Sequence, residues 1–402
     1  MKSWPTKKLG EISKIRMGET LIKKDLTGDG VPVYSADSLE KPWGFTSKNK
    51  LEFSRGAIIV GARGTLGSVK LPDDTLFTST QTTIILSPQQ KTVIPAFLFY
   101  YLRKVDFKKL RGGSGIPMLT VTRLNDLQIP FPPPSEQKKI VYILDSIQDV
   151  IRAQEKIIEK TKELKKSMMA DLFKYGGPSF RKGRKLNKTE IGEIPENWEI
   201  VKLGNKKFFE IKGGKRLPKN HNFVENKTSY LYIRVVDFKN NSVDISNLKY
   251  LSYQDYEILK KYFITKNDIY ISIAGTIGLV GLIPNELDGA ILTENAAKII
   301  IKNKDLIDKR FLVVFLSFSR GQYQIKTLTS KSTQPKLGLY RIEQIQIPLP
   351  PLPEQREIAD ILQTIDQKIE IEQKKKTLYE ELFKTMLNKL MTGEIRVDNL
   401  KL

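Results

Sequence analysis

Two long stretches of the chain carry mostly apolar side chains at steps of four and three residues. The first runs Ile140, Leu144, Ile147, Ile151, Gln154, Ile158, Thr161, Lys165, Met168, Leu172. The second runs Ile358, Leu362, Ile365, Ile369, Glu372, Lys376, Tyr379, Phe383, Met386, Leu390. Neither contains an internal proline or glycine, and the spacing predicts an amphipathic helix of about 40 residues in each, ~60 Å long at 1.5 Å per residue. Helices of that length need a partner to cover the apolar stripe, and the economical partner is the other helix. Elsewhere the pattern is shorter. Ala57-Ile58-Ile59-Val60 and Asp268 to Ile273 predict buried or alternating strands that lead into glycine turns, while Phe97–Leu102 and Phe311–Leu316 predict short helices.

The pattern is written twice. Trp4 and Leu9-Gly10 match Trp198 and Leu203-Gly204 at an offset of 194, and Gly64-Thr65-Leu66-Gly67 matches Gly275-Thr276-Ile277-Gly278 at 211. Ser114, Pro117, Leu119, Leu127, Ile129 and Pro130 match Ser332, Pro335, Leu337, Ile345, Ile347 and Pro348 at 218, an offset that continues through Glu136-Gln137 and Glu354-Gln355. A shared offset over so many positions identifies an internal repeat. Its growth along the chain means that the second copy carries extra residues between common landmarks.

Each copy is a mixed α/β globular part followed by one long helix, an α+β architecture. The joints are Ile129-Pro130-Phe131-Pro132-Pro133-Pro134 and Ile347-Pro348-Leu349-Pro350-Pro351-Leu352-Pro353, stiff extended segments that cannot continue a sheet ladder. Glu136 and Glu354 fall in the first turn beyond, where a carboxylate suits the helix dipole. The boundaries read as 1–134 for the first globular domain and 135–175 for the central helix. A linker and second domain occupy 176–352, and the last helix with its tail 353–402. Antiparallel pairing of the helices is favoured, as a pseudo-two-fold coiled coil, because the chain then leaves the first helix beside the second domain. A parallel pair would require the linker from Tyr175 to Asn197 to run back along the rod, which it reaches only if extended at ~3.3 Å per residue.

Charge then narrows the partner. Lys and Arg number 67 against 45 Asp and Glu, a formal charge of +22, which favours a polyanion because neutralised phosphates release counterions. The chain contains no cysteine, which excludes disulfides, thiolate metal sites and cysteine nucleophiles and fits a reducing cytoplasm. The first residues lack the apolar core of a signal peptide, and runs such as Phe311–Leu316 are too short to cross a bilayer. A soluble, cytoplasmic protein is expected.

Catalytic chemistry finds little support. The Walker phosphate loop is absent. Pro-Pro pairs lack the preceding acidic or amide residue of an amino-methyltransferase motif, and Asp73-Asp74 reads as a turn without a carboxylate-x-Lys partner. Gly64–Gly67 and Gly275–Gly278 read as tight strand-to-strand turns, His221 as a surface-loop histidine, and Met168, Met169 and Met386 as helix core. No metal and no cofactor is expected. Direct readout of DNA wants Arg, Lys, Gln, Ser or Thr on loops that can enter a groove. The candidates are Arg111 and Ser114 in one copy and Lys331, Ser332 and Gln334 at the same repeat position of the other. Arg63 beside the first glycine turn follows, with Lys212, Lys215 and Arg216 after the first strand of the second domain.

The string Gln346-Ile347-Pro348-Leu349-Pro350-Pro351-Leu352-Pro353-Glu354-Gln355, entering a long helix, resembles the boundary motif of Type I restriction-modification specificity subunits. Its twin, Gln128 to Gln137, the lead-in Ile191-Gly192-Glu193-Ile194-Pro195-Glu196-Asn197-Trp198 and the closing Leu390-Met391-Thr392-Gly393-Glu394 fit as well. The resemblance covers essentially the whole chain, although the first copy lacks the lead-in and begins at Trp4. It implies two target recognition domains, each reading one half of a bipartite, asymmetric sequence in double-stranded DNA. It also implies helices that act as a spacer and as a platform for methyltransferase and restriction subunits, with no catalysis by this chain. Two other readings compete: the DNA-recognition subunit of another methyltransferase-nuclease system, and a coiled-coil scaffold whose heads bind protein.

Overall fold

A computed structural model describes residues 4–37, 40–89, 93–110 and 118–398. The chain divides into two compact units, residues 1–157 with 372–402 and residues 158–371. Each unit therefore contains one globular domain, the beginning of the helix that follows it and the end of the other long helix. The long helices span Pro134–Tyr175 and Leu352–Thr392.

The globular domains repeat one strand plan. In the first unit, Ser13–Met17, Thr83–Pro88, Ile58–Gly61 and Val69–Lys70 form an antiparallel sheet in that spatial order. A second sheet is ordered Gly44–Thr46, Val31–Tyr34, Leu76–Ser79, Phe53–Ser54, with Val31–Tyr34 parallel to Leu76–Ser79. In the second unit the corresponding sheets are Phe209–Gly213, Ala296–Ile301, Ile269–Ser272, Val280–Leu282 and Lys249–Tyr250, Leu231–Ile233, Ala290–Leu292, Phe263–Ile264. The single parallel pair recurs between Leu231–Ile233 and Ala290–Leu292. A two-stranded ribbon, Thr6–Lys8 with Gln128–Pro130 or Glu199–Lys202 with Gln346–Leu349, sets the entry and exit of each domain side by side.

The strands at 58–61 and 269–272 are apolar on both faces because each is covered twice, which favours continuous apolar runs over alternation. Ile58 and Val60 pack with Leu98 and Leu102 of the helix Pro95–Lys104, while Ile59 packs with Phe53 and Phe77 of the second sheet. In the second unit Ile269 and Ile271 join Leu312 and Phe315 of the helix Lys309–Ser317, and Tyr270 joins Ile264 and Leu292. The two short helices expected from sequence are these middle helices. Phe97 and Tyr100 turn the other way, onto Ile140, Leu144, Phe383 and Leu390 of the long helices.

The long helices pair antiparallel within each unit. The start of the first meets the end of the second around Ile140, Leu144, Leu390 and Met391, and Leu172 and Phe173 meet Ile358 and Leu362 in the second unit. Every position of the two apolar walks read from the sequence is buried or half-buried. Gln154 is the one buried among the three polar positions in the first walk, the others being Thr161 and Lys165. It lies buried and donates its amide to the Glu372 carboxylate and carbonyl, so both polar groups are satisfied inside the seam.

Glu136 and Glu354 sit in the first turn as read, but the dipole is the lesser part of their role. Both are buried. Glu136 accepts from the Trp4 indole at 3.0 Å and from the Arg396 guanidinium. Glu354 accepts from the Trp198 indole at 3.1 Å, from Arg184 and from the Gly177 amide. Tryptophan from the start of a domain and arginine from just beyond the end of the opposite helix thus close on one carboxylate. The adjoining Gln137 and Gln355 tie the proline joint to the middle helix. Their amides donate to the Pro132 and Pro350 carbonyls and accept from the Ile94 and Asp308 N–H groups. Gly176 and Gly393, at positive φ, end the two helices and leave room for these clamps, the first beside Arg184 and Glu354, the second against Trp4.

Candidate nucleic-acid interface

One end of each domain is built from loops laced together by the same backbone hydrogen bonds. In the first unit the Gly18 and Glu19 amides donate to the Thr83 and Ser79 carbonyls, the Ala62 and Arg63 amides to Thr82, and Leu119 to Ala62. In the second, Gly214 and Lys215 donate to Ala296 and Leu292, Ile273 and Ala274 to Asn295, and Leu337 to Ile273. Residue for residue these are the same bonds. They gather the segment after the first sheet strand, the loop at Thr80–Thr82 or Thr293–Asn295, the glycine turn and the start of the segment that leads to the joint. Gly18 and Gly214 are required here, since a Cβ on either would overlap the carbonyls of Thr80 and Thr293 respectively.

The side chains on this common lattice differ. Glu19 stands where the second unit has Lys215, Thr20 where it has Arg216, Gln81 where it has Glu294, and Arg63 where it has Ala274. Glu19 turns inward onto the Lys50 and Leu51 amides and the Thr78 hydroxyl. Thr20 donates to the Gln81 carbonyl oxygen at 3.1 Å, and Arg216 pairs with Glu294 at 3.2 Å. Lys215 lies over the Tyr262 ring. The loop from Ser330 to Lys336 is closed by bonds between its ends and lies against Ala274, with Lys331, Ser332 and Gln334 all exposed.

Of the residues singled out from sequence, Arg63, Lys215, Arg216, Lys331, Ser332 and Gln334 belong to these loop ends. Lys212 belongs to the strand Phe209–Gly213 and forms an ion pair with Glu210 at 3.1 Å. Arg111 and Ser114 lie outside the described residues. Thr20, Gln81 and Glu294 were missed. Their correspondence rests on offsets of 196 and 213, which shared letters in those loops are too few to reveal but shared hydrogen bonds establish. His221, read as a surface-loop side chain, is in a loop and partly exposed, but it is bonded to the buried Asp255 carboxylate and anchors that loop. Among the described residues no group of three or more His, Asp or Glu side chains is placed to hold a metal ion. No helix among them is long and apolar enough to cross a membrane.

Comparison with known proteins accounts for the duplicated plan. The family model for the Type I restriction modification DNA specificity domain matches residues 1–163 and again 195–380. The chain is similar to the Type I restriction enzyme MjaVIII specificity subunit of Methanocaldococcus jannaschii, with 34% identity over 86% of this chain and 77% of the relative. It is also similar to the MjaIX specificity subunit of the same organism, with 24% identity over 99% and 95%. Among solved structures, the Type I S subunit from M. genitalium shares the fold with a TM-score of 0.58 at 20% identity, covering 96% of each chain. A chain from a structural study of complex assembly and conformational transition of the Type I system reaches 0.62 at 19% identity, covering 98% of this chain and 99% of that one. With its two copies matched separately by one family model and its strand plan repeated to the level of single hydrogen bonds, the chain belongs to the family of Type I restriction-modification DNA specificity subunits.

Proposed function

We propose that this chain reads a split, asymmetric sequence in double-stranded DNA, each unit reading one half. The observation that carries this reading is the pair of loop lattices with one backbone and two sets of exposed side chains. Sequence is read by side chains on base edges, whereas phosphate contacts only position. A fixed backbone with changed side chains therefore presents two different half-sites. Residues 1–134 and 176–352 serve as the target recognition domains, and 135–175 with 353–402 as spacer and platform. Arg63, Arg111, Ser114, Lys212, Lys215, Arg216, Lys331, Ser332 and Gln334 are the first candidates for DNA contact. The chain docks methyltransferase subunits, with restriction subunits joining that core, works in the cytoplasm and contributes recognition while the partners contribute chemistry. A protein-only scaffold would leave the +22 charge without a polyanionic partner.

The test is to map methylated bases in host DNA with the gene present and deleted. A split sequence with two unlike halves, lost on deletion, is the expected result. A palindromic or continuous sequence would refute the two-reader model.

A further inference from the structure

The paired side chains at the loop ends deepen the function proposed above, on which this inference rests. We propose that Gln81, held by Thr20, and Glu294, held by Arg216, are the corresponding base-reading positions of the two units. Gln81 recognises an A·T pair, and the Arg216–Glu294 couple recognises a G·C pair.

These pairs are not needed to hold their loops together. The Glu19 and Gln81 amides already donate to the Ser79 and Glu19 carbonyls, and the Lys215 amide to Leu292. Arg216 is 74% exposed, and an ion pair so open to water contributes little to stability. Its geometry is therefore free to serve a ligand. Thr20 and Gln81 are exposed too, on a loop end where neighbouring Arg63 can meet phosphate.

The chemistry of each pair selects a different base pair. The Thr20 hydroxyl occupies one lone pair of the Gln81 carbonyl oxygen and orients the amide. A second lone pair and both N–H donors remain, which match the N6 donor and N7 acceptor of adenine in the major groove. Glu294 accepts from Arg216 on one oxygen, and on the other from the Thr293 hydroxyl at 3.0 Å and the Tyr232 hydroxyl at 3.4 Å. A carboxylate accepts only, so it matches the cytosine N4 amine and is repelled by the O4 of thymine. The guanidinium beside it, with five donors, matches O6 and N7 of the paired guanine. One lattice position thus presents an amide in one unit and a charged couple in the other.

The experiment presents randomised duplexes to the full-length chain, alone and with co-purified methyltransferase subunits, and sequences what is retained. Gln81→Glu should change the preferred base at one position of one half-site from A·T toward C·G by about tenfold or more. The Arg216→Thr, Glu294→Gln double variant should move one position of the other half-site toward A·T. Gln81→Ala, which leaves the charge unchanged, and Glu294→Ala, which removes one negative charge, should relax the preference at those same positions. Uniform weakening across all sequences would show mere loop support and overturn the proposal, as would changes in both half-sites or an unchanged preference. If the parent chain enriches no split sequence at all, the function proposed above fails, and that outcome is read from the parent before any variant is compared.

Discussion

The strand that follows the glycine turn has opposite fillings in the two units. Lys70 and Gly281 occupy one position of the repeat, opposite Ile59 and Tyr270 respectively. In the first unit the Lys70 side chain is buried, donates to the Ser35 carbonyl at 2.9 Å and pairs with Asp37. In the second unit the space is taken by a hairpin, Phe238–Lys239 with Ser242–Val243. Asn240 and Asn241 turn that hairpin with positive φ, a conformation asparagine tolerates better than most residues. The Asn241 amide caps the Val280 carbonyl at 2.7 Å, and Tyr270 stacks on Phe238 while donating to the Ser242 carbonyl at 2.6 Å. A Cβ at Gly281 would overlap Asn241 and the Tyr270 hydroxyl. One filling excludes the other. The extra residues of the second copy here repair a sheet edge instead of extending the loop lattice.

The largest test of the common scaffold is the buried carboxylate at the helix start. Glu354→Ala strands a mostly buried Arg184 and leaves the Gly177 amide without its acceptor. Removing one partner of such a pair should cost about 3–5 kcal/mol, seen as a large fall in the thermal unfolding temperature. A variant as stable as the parent would show that the clamp is ornamental and that the helix ends within the second unit are held by their apolar seam alone.

A middle-sized effect should come from moving one unit's filling into the other. Gly281→Lys should cost about 1–3 kcal/mol through overpacking against the hairpin backbone. Deleting residues 238–243 in the same variant, and so making room, should return part of that loss. Calorimetry of the single and combined variants checks this, and strictly additive losses would refute the exclusion of one filling by the other.

The smallest effect concerns pH and the first unit's clamp. Burial by itself pushes the Glu136 carboxyl up. The bonds from Arg396, Trp4 and the Val397 amide outweigh it and hold the group below the ordinary glutamate range. A carboxyl lowered in the folded state adds stability that is complete above its unfolded value of roughly 4.3 and is lost as pH falls through its folded value. Glu136→Gln should therefore flatten the acid limb of the stability profile, measured by urea unfolding from neutral pH downward. An acid limb identical to that of the parent would remove the clamp from the acid response.

The amino-acid sequence by itself determined the duplication, the two helical walks, the proline joints and the family, because each is a periodic or repeated feature legible in one dimension. The strands at 58–61 and 269–272 were legible as apolar runs, though whether one face or both were covered was not. That depends on a helix at 95–104 and a sheet strand at 76–79 arriving from elsewhere in the chain. The Glu-Gln pair after each joint was visible as a motif, while its reason, a tryptophan and an arginine from distant segments sharing one buried carboxylate, required the fold. The loop ends show the same limit. Lys215 and Arg216 could be proposed from charge, but Thr20, Gln81 and Glu294 carry no local signature. Only the backbone hydrogen bonds, which do not depend on side-chain identity, put them in correspondence. Periodicity is a property of neighbours along the chain and is written there; the meeting of unlike loops is a property of tertiary closure, fixed by burial and by backbone groups that must find partners.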